Sequence, residues 1–165
     1  MKNIIICDLD GTLANCDHRR HLVQKFKPDG TKNKHRDYEQ FHDLCKNDTV
    51  HEAVHELLVR MCGWSMNYEY RTHDVIFVTG RPERTRLATQ WWLEDNTDCP
   101  AFGYGQQLYM RPDGDTRADF IVKQEILDTK LVKEDILFCV DDRQQVVDMW
   151  RRNGLVCMQV AKGDF

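Results

Sequence analysis

The sequence predicts an α/β fold built on a doubly wound parallel sheet. Two observations carry this. Short apolar runs alternate with longer segments of helical spacing, the pattern of parallel strands joined by crossover helices. Two of the runs, Ile4-Ile5-Ile6-Cys7 and Ile136-Leu137-Phe138-Cys139-Val140, are apolar without alternation, as expected of strands covered on both faces. A chain of 165 residues suits one domain. It buries about 70% of the surface its unfolded form exposes, so its folding needs no disulfide or structural metal.

Strand one covers about 3–8 and runs into Asp8-Leu9-Asp10-Gly11-Thr12. Side chains two apart on an extended chain point the same way, so Asp8 and Asp10 can reach one reaction centre. Gly11 allows the sharp turn that follows. A short helix over 18–26 carries Leu22, Val23 and Phe26, and 27–36 is a polar loop with Pro28 and Gly30. Tyr38, Phe41 and Leu44 recur at helical spacing, as do Val50, Val54, Leu57, Leu58 and Met61 over 50–62. Asn47-Asp48-Thr49 offers cap residues between those helices.

Strand two is about 74–79. Pro82 opens the next helix, at a first-turn position that proline tolerates. That helix carries Leu87, Ala88, Trp91 and Trp92 and ends near Asp95; the tryptophans read as packing residues. A loop with Cys99-Pro100 leads to a strand near 107–110. Helix 117–129 turns Phe120, Ile121, Ile126 and Leu127 inward. Strand 136–140 precedes helix 143–153, which packs Trp150 and stops at Gly154. The last strand is about 155–160. Ligands of such a sheet bind beyond the strand C-termini, and Asp8, Thr79 and Asp141 each end a predicted strand.

The net charge of −4 argues against a generally basic nucleic-acid coat but says little about a local groove. Seven cysteines are scattered with no Cys-x-x-Cys, and read as reduced thiols of a cytoplasmic protein. The apolar stretch before Asp8 is too short for a signal peptide. No apolar run approaches the roughly 20 residues that cross a bilayer, so no membrane partner is expected.

Four segments, in order, resemble the motif set of the haloacid dehalogenase superfamily of phosphohydrolases. They are the Ile4–Ala14 run, Val75-Ile76-Phe77-Val78-Thr79-Gly80-Arg81, Lys123 within Ala118–Lys123, and Ile136–Arg143. Gly114-Asp115-Thr116-Arg117, the stretch Asp141–Arg152 and the tail Gln159–Phe165 further resemble the phosphatase domain of phage polynucleotide kinase–phosphatases. This likeness covers about 1–20 and 74–165; residues 21–73 match less clearly. No Gly-x-x-x-x-Gly-Lys-Ser/Thr run is present, so the resemblance is to the phosphatase half alone.

The resemblance implies strand order 5-4-1-2-3 and a single phosphatase domain over 1–165, with a small helical cap inserted after strand one, about 17–70. It makes Asp8 the nucleophile, forming an aspartyl-phosphate, and Asp10 the acid and base. Mg²⁺ would be held by Asp8, Asp10, Asp141 and Asp142, with capping of the next helix a compatible role for the last pair. Thr79 and Lys123 would hold phosphoryl oxygens. Arg19, Gly80, Arg81, Arg117 and Asp119 would line the substrate site, Asp119 by orienting Lys123 or Arg81. The implied activity is removal of 3′-phosphates from DNA or RNA ends, beside a separate kinase or ligase. The alternative is a nucleotidase or small phosphate-ester phosphatase of the same superfamily. A nonenzymatic scaffold is disfavoured, because all four motifs keep chemically competent residues.

Two further features stand apart. Residues 18–36 carry Arg19, Arg20, Lys25, Lys27, Lys32, Lys34 and Arg36 against Asp29 alone, a strip that suits either a nucleic-acid backbone or a solvated loop. His51-Glu52-Ala53-Val54-His55 has zinc-protease spacing, but no third ligand lies at a matching distance, and a solvent-facing stripe is the preferred reading.

Overall fold

The computed structural model describes residues 2–63, 73–97 and 107–162. The Cys99-Pro100 loop, the end of the inserted segment at 64–72 and the tail at 163–165 lie outside the described residues. Along the chain run β1 (Ile4–Cys7), β2 (Ala14–Asn15), α1 (Asp17–Arg20), α2 (Tyr38–Asp43), β3 (Thr49–Val50), α3 (Glu52–Cys62), β4 (Asp74–Pro82) and α4 (Arg86–Asn96). β5 (Gln107–Arg111), α5 (Asp119–Lys130), β6 (Ile136–Asp141), α6 (Gln144–Arg152) and β7 (Cys157–Gln159) complete it.

β1 is central in a five-stranded sheet of order β5-β4-β1-β6-β7, and every pairing in it is parallel. Counted by sheet strand alone, this is the expected 5-4-1-2-3 order. Alternate residues supply two separate cores. Ile5, Cys7, Val75, Phe77, Phe138 and Val140 pack with Val54 and Leu58 of α3 and Trp92 and Leu93 of α4. Ile6, Ile76, Val78 and Cys139 face Val122 and Ile126 of α5 and Val146 and Trp150 of α6. Burial on both faces is why the strands read as unbroken apolar runs.

Within the inserted segment, α3 therefore belongs to the layer on the sheet. Cys16, Val23 and Phe41 form a small cluster of their own. β2 and β3 pair antiparallel.

Several elements depart from the sequence reading. The helix expected over 18–26 is only α1, four residues long. Beyond it the backbone folds back on itself, with Lys27 N–H donating to the Thr31 carbonyl at 2.8 Å and Asn33 N–H to the Lys25 carbonyl at 2.7 Å. Phe26, expected on that helix, lies beyond it and is 60% exposed. Pro82 does not open a helix: it ends β4, next to a register irregularity of the kind where a strand tolerates proline, and α4 begins after a 3₁₀ turn at Glu83–Thr85. The register of β4 against β5 shifts between Val78 and Pro82, so Thr79 lies in a bulge rather than at the strand end. Asp48 caps no helix, since α3 has no side-chain cap. Trp91 and Ile121, both read as packed, are exposed; Thr89 and Trp92 face the core from α4, and Val122 and Lys123 from α5.

Candidate active site

The C-terminal ends of β1 and β6 and one face of α5 bring the reactive groups together. Asp8 extends β1 by one residue, its N–H donating to the Val140 carbonyl at 3.0 Å. The chain then turns tightly, with the Thr12 and Ala14 N–H groups both donating to the Leu9 carbonyl, at 3.0 and 2.8 Å. Gly11 holds this turn at φ 89°, a conformation that strains any side chain. A Cβ there would also press into the Asp142 carboxylate. Asp141 ends β6 and Asp142 follows it.

Lys123 enters from α5. Its Nζ donates to Asp8 Oδ1 at 2.7 Å and Asp141 Oδ2 at 2.9 Å, with Asp119 Oδ2 at 3.5 Å. Burial pulls the ammonium down, but Asp141, Asp8 and Asp119 together push it well above the ordinary lysine value. Lys123 therefore stays charged, and its cost of burial is offset by paired carboxylates. Thr12 Oγ1 donates to Asp8 Oδ2 at 3.1 Å. Both Asp8 oxygens are thus oriented. Burial pushes the Asp8 carboxyl up, against the pull of Lys123.

Asp8, Asp141 and Asp142 each offer a carboxylate oxygen within 4.8 Å of the others, and all three are buried. Asp141 has donors: Trp150 Nε1 at 3.3 Å and the Arg143 N–H at 3.2 Å. Asp142 Oδ2 is buried with no hydrogen-bond partner, a state that costs about 1–3 kcal/mol. Burial, then repulsion from Asp141, raises the Asp142 carboxyl to about 6. A hard divalent cation, which prefers carboxylate oxygens, answers both the orphan oxygen and the crowded charge.

Asp10, expected among the metal ligands, is not in this group. Its Oδ1 accepts from Arg19 Nη2 at 2.6 Å and from Arg81 Nε and Nη2 at 2.8 and 2.6 Å. Burial opposes its ionisation, but Arg81 and then Arg19 win and hold the carboxyl well below the usual range. Both guanidinium groups also bind Asp48: Arg19 Nε and Nη2 at 2.7 and 2.5 Å, Arg81 Nη2 at 2.8 Å. His18 Nε2 lies 2.9 Å from the same carboxylate. Two arginines and two aspartates therefore form a charge-balanced quartet, in which the side chains of Arg19, Arg81 and Asp48 are fully buried.

Thr79 is buried, its Oγ1 accepting from the Arg81 N–H at 3.2 Å. At Gly80 an added Cβ would lie 2.5 Å from Asp119 Oδ1, so only glycine lets β4 pass this carboxylate. Arg111 ties the two, donating to the Gly80 carbonyl at 3.0 Å and to Asp119 at 3.1 Å. Arg117 sits at the rim, paired with Asp115 at 2.6 Å and Glu125 at 2.7 Å. Asp8, Asp10, Gly80, Asp119 and Asp142 open into one cavity of about 820 Å³. Arg36, Tyr38, Phe41 and His42 form its wall on the inserted segment. Burial holds His42 neutral, at about 4.

Sequence reasoning misses Asp48, Thr12, Arg111 and His42. Thr12 has a signal, a hydroxyl four residues after Asp8. Asp48 has none, because a lone aspartate before a helix looks like a cap. His51 and His55 belong to no metal-ligating group among the described residues.

A carboxylate held by a buried ammonium, beside further carboxylates at the strand ends of a doubly wound sheet, defines a phosphatase of the haloacid dehalogenase kind. Residues 25–165 match the family model described as the polynucleotide kinase PNKP phosphatase domain, and the chain belongs to that family. A curated protein of Autographa californica nuclear polyhedrosis virus, described as a bifunctional polynucleotide kinase/RNA ligase, is 27% identical over 150 residues. That match takes in 89% of this chain and 17% of the viral protein. Among solved structures, chains of a Pnkp1/Rnl/Hen1 RNA repair complex and of a Pnkp1/Rnl/Hen1 complex are each 30% identical with TM-scores of 0.71, and 99% of this chain is covered. The chain spans 44% and 48% of those chains, less than half the length of the relatives it matches.

Proposed function

We propose that this chain is a Mg²⁺-dependent phosphomonoesterase that removes 3′-phosphates from nucleic-acid ends through an aspartyl-phosphate. The observation that carries the reading is Asp8, held between Lys123 and Thr12 on the floor of the cavity. Asp8 attacks phosphorus, the bond to the sugar oxygen breaks, and Asp10 gives that oxygen its proton. Water then attacks the aspartyl-phosphate with Asp10 as base, releasing inorganic phosphate and restoring Asp8. Arg19 and Arg81 hold Asp10 ionised in the free protein. Asp10 opens into the cavity, and the negative charge of the arriving phosphate beside it raises its affinity for a proton. Lys123 and Thr79 stand ready for charge developing on the phosphoryl oxygens. Mg²⁺ held by Asp8, Asp141 and Asp142 supplies neutralisation of the crowded carboxylates and the phosphate.

The family match and the names of its relatives support a polynucleotide end as substrate. A kinase or ligase acting beside this chain fits the same names, and action in a host cytoplasm fits the viral relative and the buried cysteine thiols described. No helix among the described residues is long and apolar enough to cross a membrane. We further infer one phosphatase domain over 1–165, with its cap narrowed to about 16–48, because α3 packs on the sheet.

A cavity of about 820 Å³ also has room for a mononucleotide, which favours the nucleotidase as the second reading. The test is phosphate release in Mg²⁺ from an oligonucleotide bearing a 3′-phosphate, run beside its 5′-phosphorylated counterpart and free 3′- and 5′-mononucleotides. Asp8→Asn is the blank. Preference for the 3′-phosphorylated strand is expected; faster turnover of mononucleotides would replace the reading with nucleotidase.

A further inference from the structure

The basic strip read from sequence separates into two parts with different roles. Arg19 is buried in the quartet, and Arg20 pairs with Asp17 at 3.5 Å. The remaining cations, Lys25, Lys27, Lys32, Lys34 and Arg36, are all exposed, with Lys32 and its neighbours on a folded hairpin. Phe26 and Lys32 bridge antiparallel. Gly30 N–H donates to the Lys27 carbonyl at 2.9 Å, closing the tip, and Asp29 accepts from both the N–H and the hydroxyl of Thr31, at 2.9 and 2.6 Å. The one acid of the hairpin is thus engaged by its own turn.

Three observations give this hairpin a direction. Among the described residues, none of its cations has a carboxylate partner, whereas Arg84, Arg111 and Arg117, which line the same cavity from other elements, are all in ion pairs. The strip meets the cavity at one end: Arg36 and Tyr38, at the foot of the hairpin, line the space that also holds Asp8 and Asp10. The aromatics fit the same track. Phe26 is 60% and Tyr38 47% exposed. The Arg36 guanidinium lies 5.5 Å from the Tyr38 ring centre, with Nη1 donating to its hydroxyl at 2.9 Å. Cations without carboxylate partners, interleaved with exposed rings, are what a single strand engages, through phosphates on the first and base stacking on the second. All this sits on a chain whose net charge is −4, so the positive field is local.

We propose that the hairpin over 25–36 is a docking arm for the single-stranded segment just 5′ of the terminal phosphate. It extends the active site along the strand, with Tyr38 and Arg36 as the platform for the last bases. The inference rests on the polynucleotide reading above. It predicts a substrate-length preference generated by this arm, separate from the chemistry at Asp8.

The test uses Lys25→Ala/Lys27→Ala/Lys32→Ala/Lys34→Ala, which touches no cavity-lining residue. Binding is read by fluorescence anisotropy with end-labelled, 3′-phosphorylated single strands of about twelve nucleotides, DNA and RNA, with chelator present to prevent turnover. The arm predicts at least about a tenfold weaker Kd for the variant at low salt. The slope of log Kd against log salt should also flatten by about 0.7 for each phosphate that the variant no longer neutralises. In Mg²⁺, KM for the long strand should rise while a dinucleotide with the same 3′-phosphate keeps its kcat/KM within about twofold. Unchanged Kd and salt slope overturn the arm, even if 3′-phosphates are released. Equal losses on long strand and dinucleotide also overturn it, since the change would then lie in the site itself. If no 3′-phosphate is released by the wild type, the function reading fails, while the anisotropy still decides whether the hairpin binds a strand.

Discussion

Asp48→Asn is the sharpest perturbation of the architecture around Asp10. The substitution keeps the shape of the side chain and removes its charge. In the folded protein that carboxylate accepts from Arg19 at 2.7 and 2.5 Å and from Arg81 at 2.8 Å, with its side chain fully buried. Without it, two buried guanidinium groups share the single carboxylate of Asp10, leaving an uncompensated positive charge. Removing one partner of a buried ion pair costs about 3–5 kcal/mol, a large part of the roughly 5–15 kcal/mol that holds a domain folded. The assay is urea denaturation in chelator. With a slope of about 2 kcal/mol per molar urea, the midpoint should fall by about 1.5–2.5 M. Phosphatase activity should fall with it, by at least about tenfold, because Arg19 and Arg81 lose the anchor that aims them at Asp10. A midpoint shift below about 0.5 M would refute the reasoning, showing that the quartet is neither buried nor mutually dependent in solution.

Asp142→Asn tests the orphan carboxylate. Its folded pKa of about 6 lies above the ordinary aspartate value of 3.8, so its contribution is present below pH ~4 and lost as pH rises through about 6. In chelator the variant should gain up to about 3 kcal/mol over wild type near pH 8, and this gain should vanish near pH 4. Taking the difference between proteins cancels the opposite trend from His42, held neutral down to about 4. Mg²⁺ should raise the Tm of the wild type and leave that of Asp142→Asn nearly unchanged. Gly80→Ala places a Cβ 2.5 Å from Asp119; it should cut kcat at least about tenfold while costing about 1–3 kcal/mol of stability, measured by turnover and urea melts on one preparation.

How much of this is legible in the sequence depends on the range of the interaction. β1 and β6 are plain, because a strand covered on both faces must be apolar throughout. Asp8, Asp10, Asp141 and Lys123 emerge as parts of a pattern, with Lys123 resting on the resemblance alone. Asp48 escapes because its partners are remote: Arg19 is 29 residues away and Arg81 is 33, and no local spacing marks such a pairing. Pro82 misleads because a proline suits the last residue of a strand and the first turn of a helix equally well. Trp91 and Ile121 fail for a different reason. An apolar side chain on an amphipathic helix reads as buried, yet the helical phase of α4 and α5 turns these two outward and gives the inward places to Thr89 and Lys123.

Chemistry at Asp8 is the central claim, and acid quenching during turnover tests it most directly. An oligonucleotide with a radiolabelled 3′-phosphate would be mixed with the protein in Mg²⁺ and stopped within the first turnovers. The account predicts label bound to the protein, on the peptide containing Asp8, released by hydroxylamine and absent from Asp8→Asn. Free labelled phosphate accumulating with no labelled protein, or label that persists in Asp8→Asn, would contradict it.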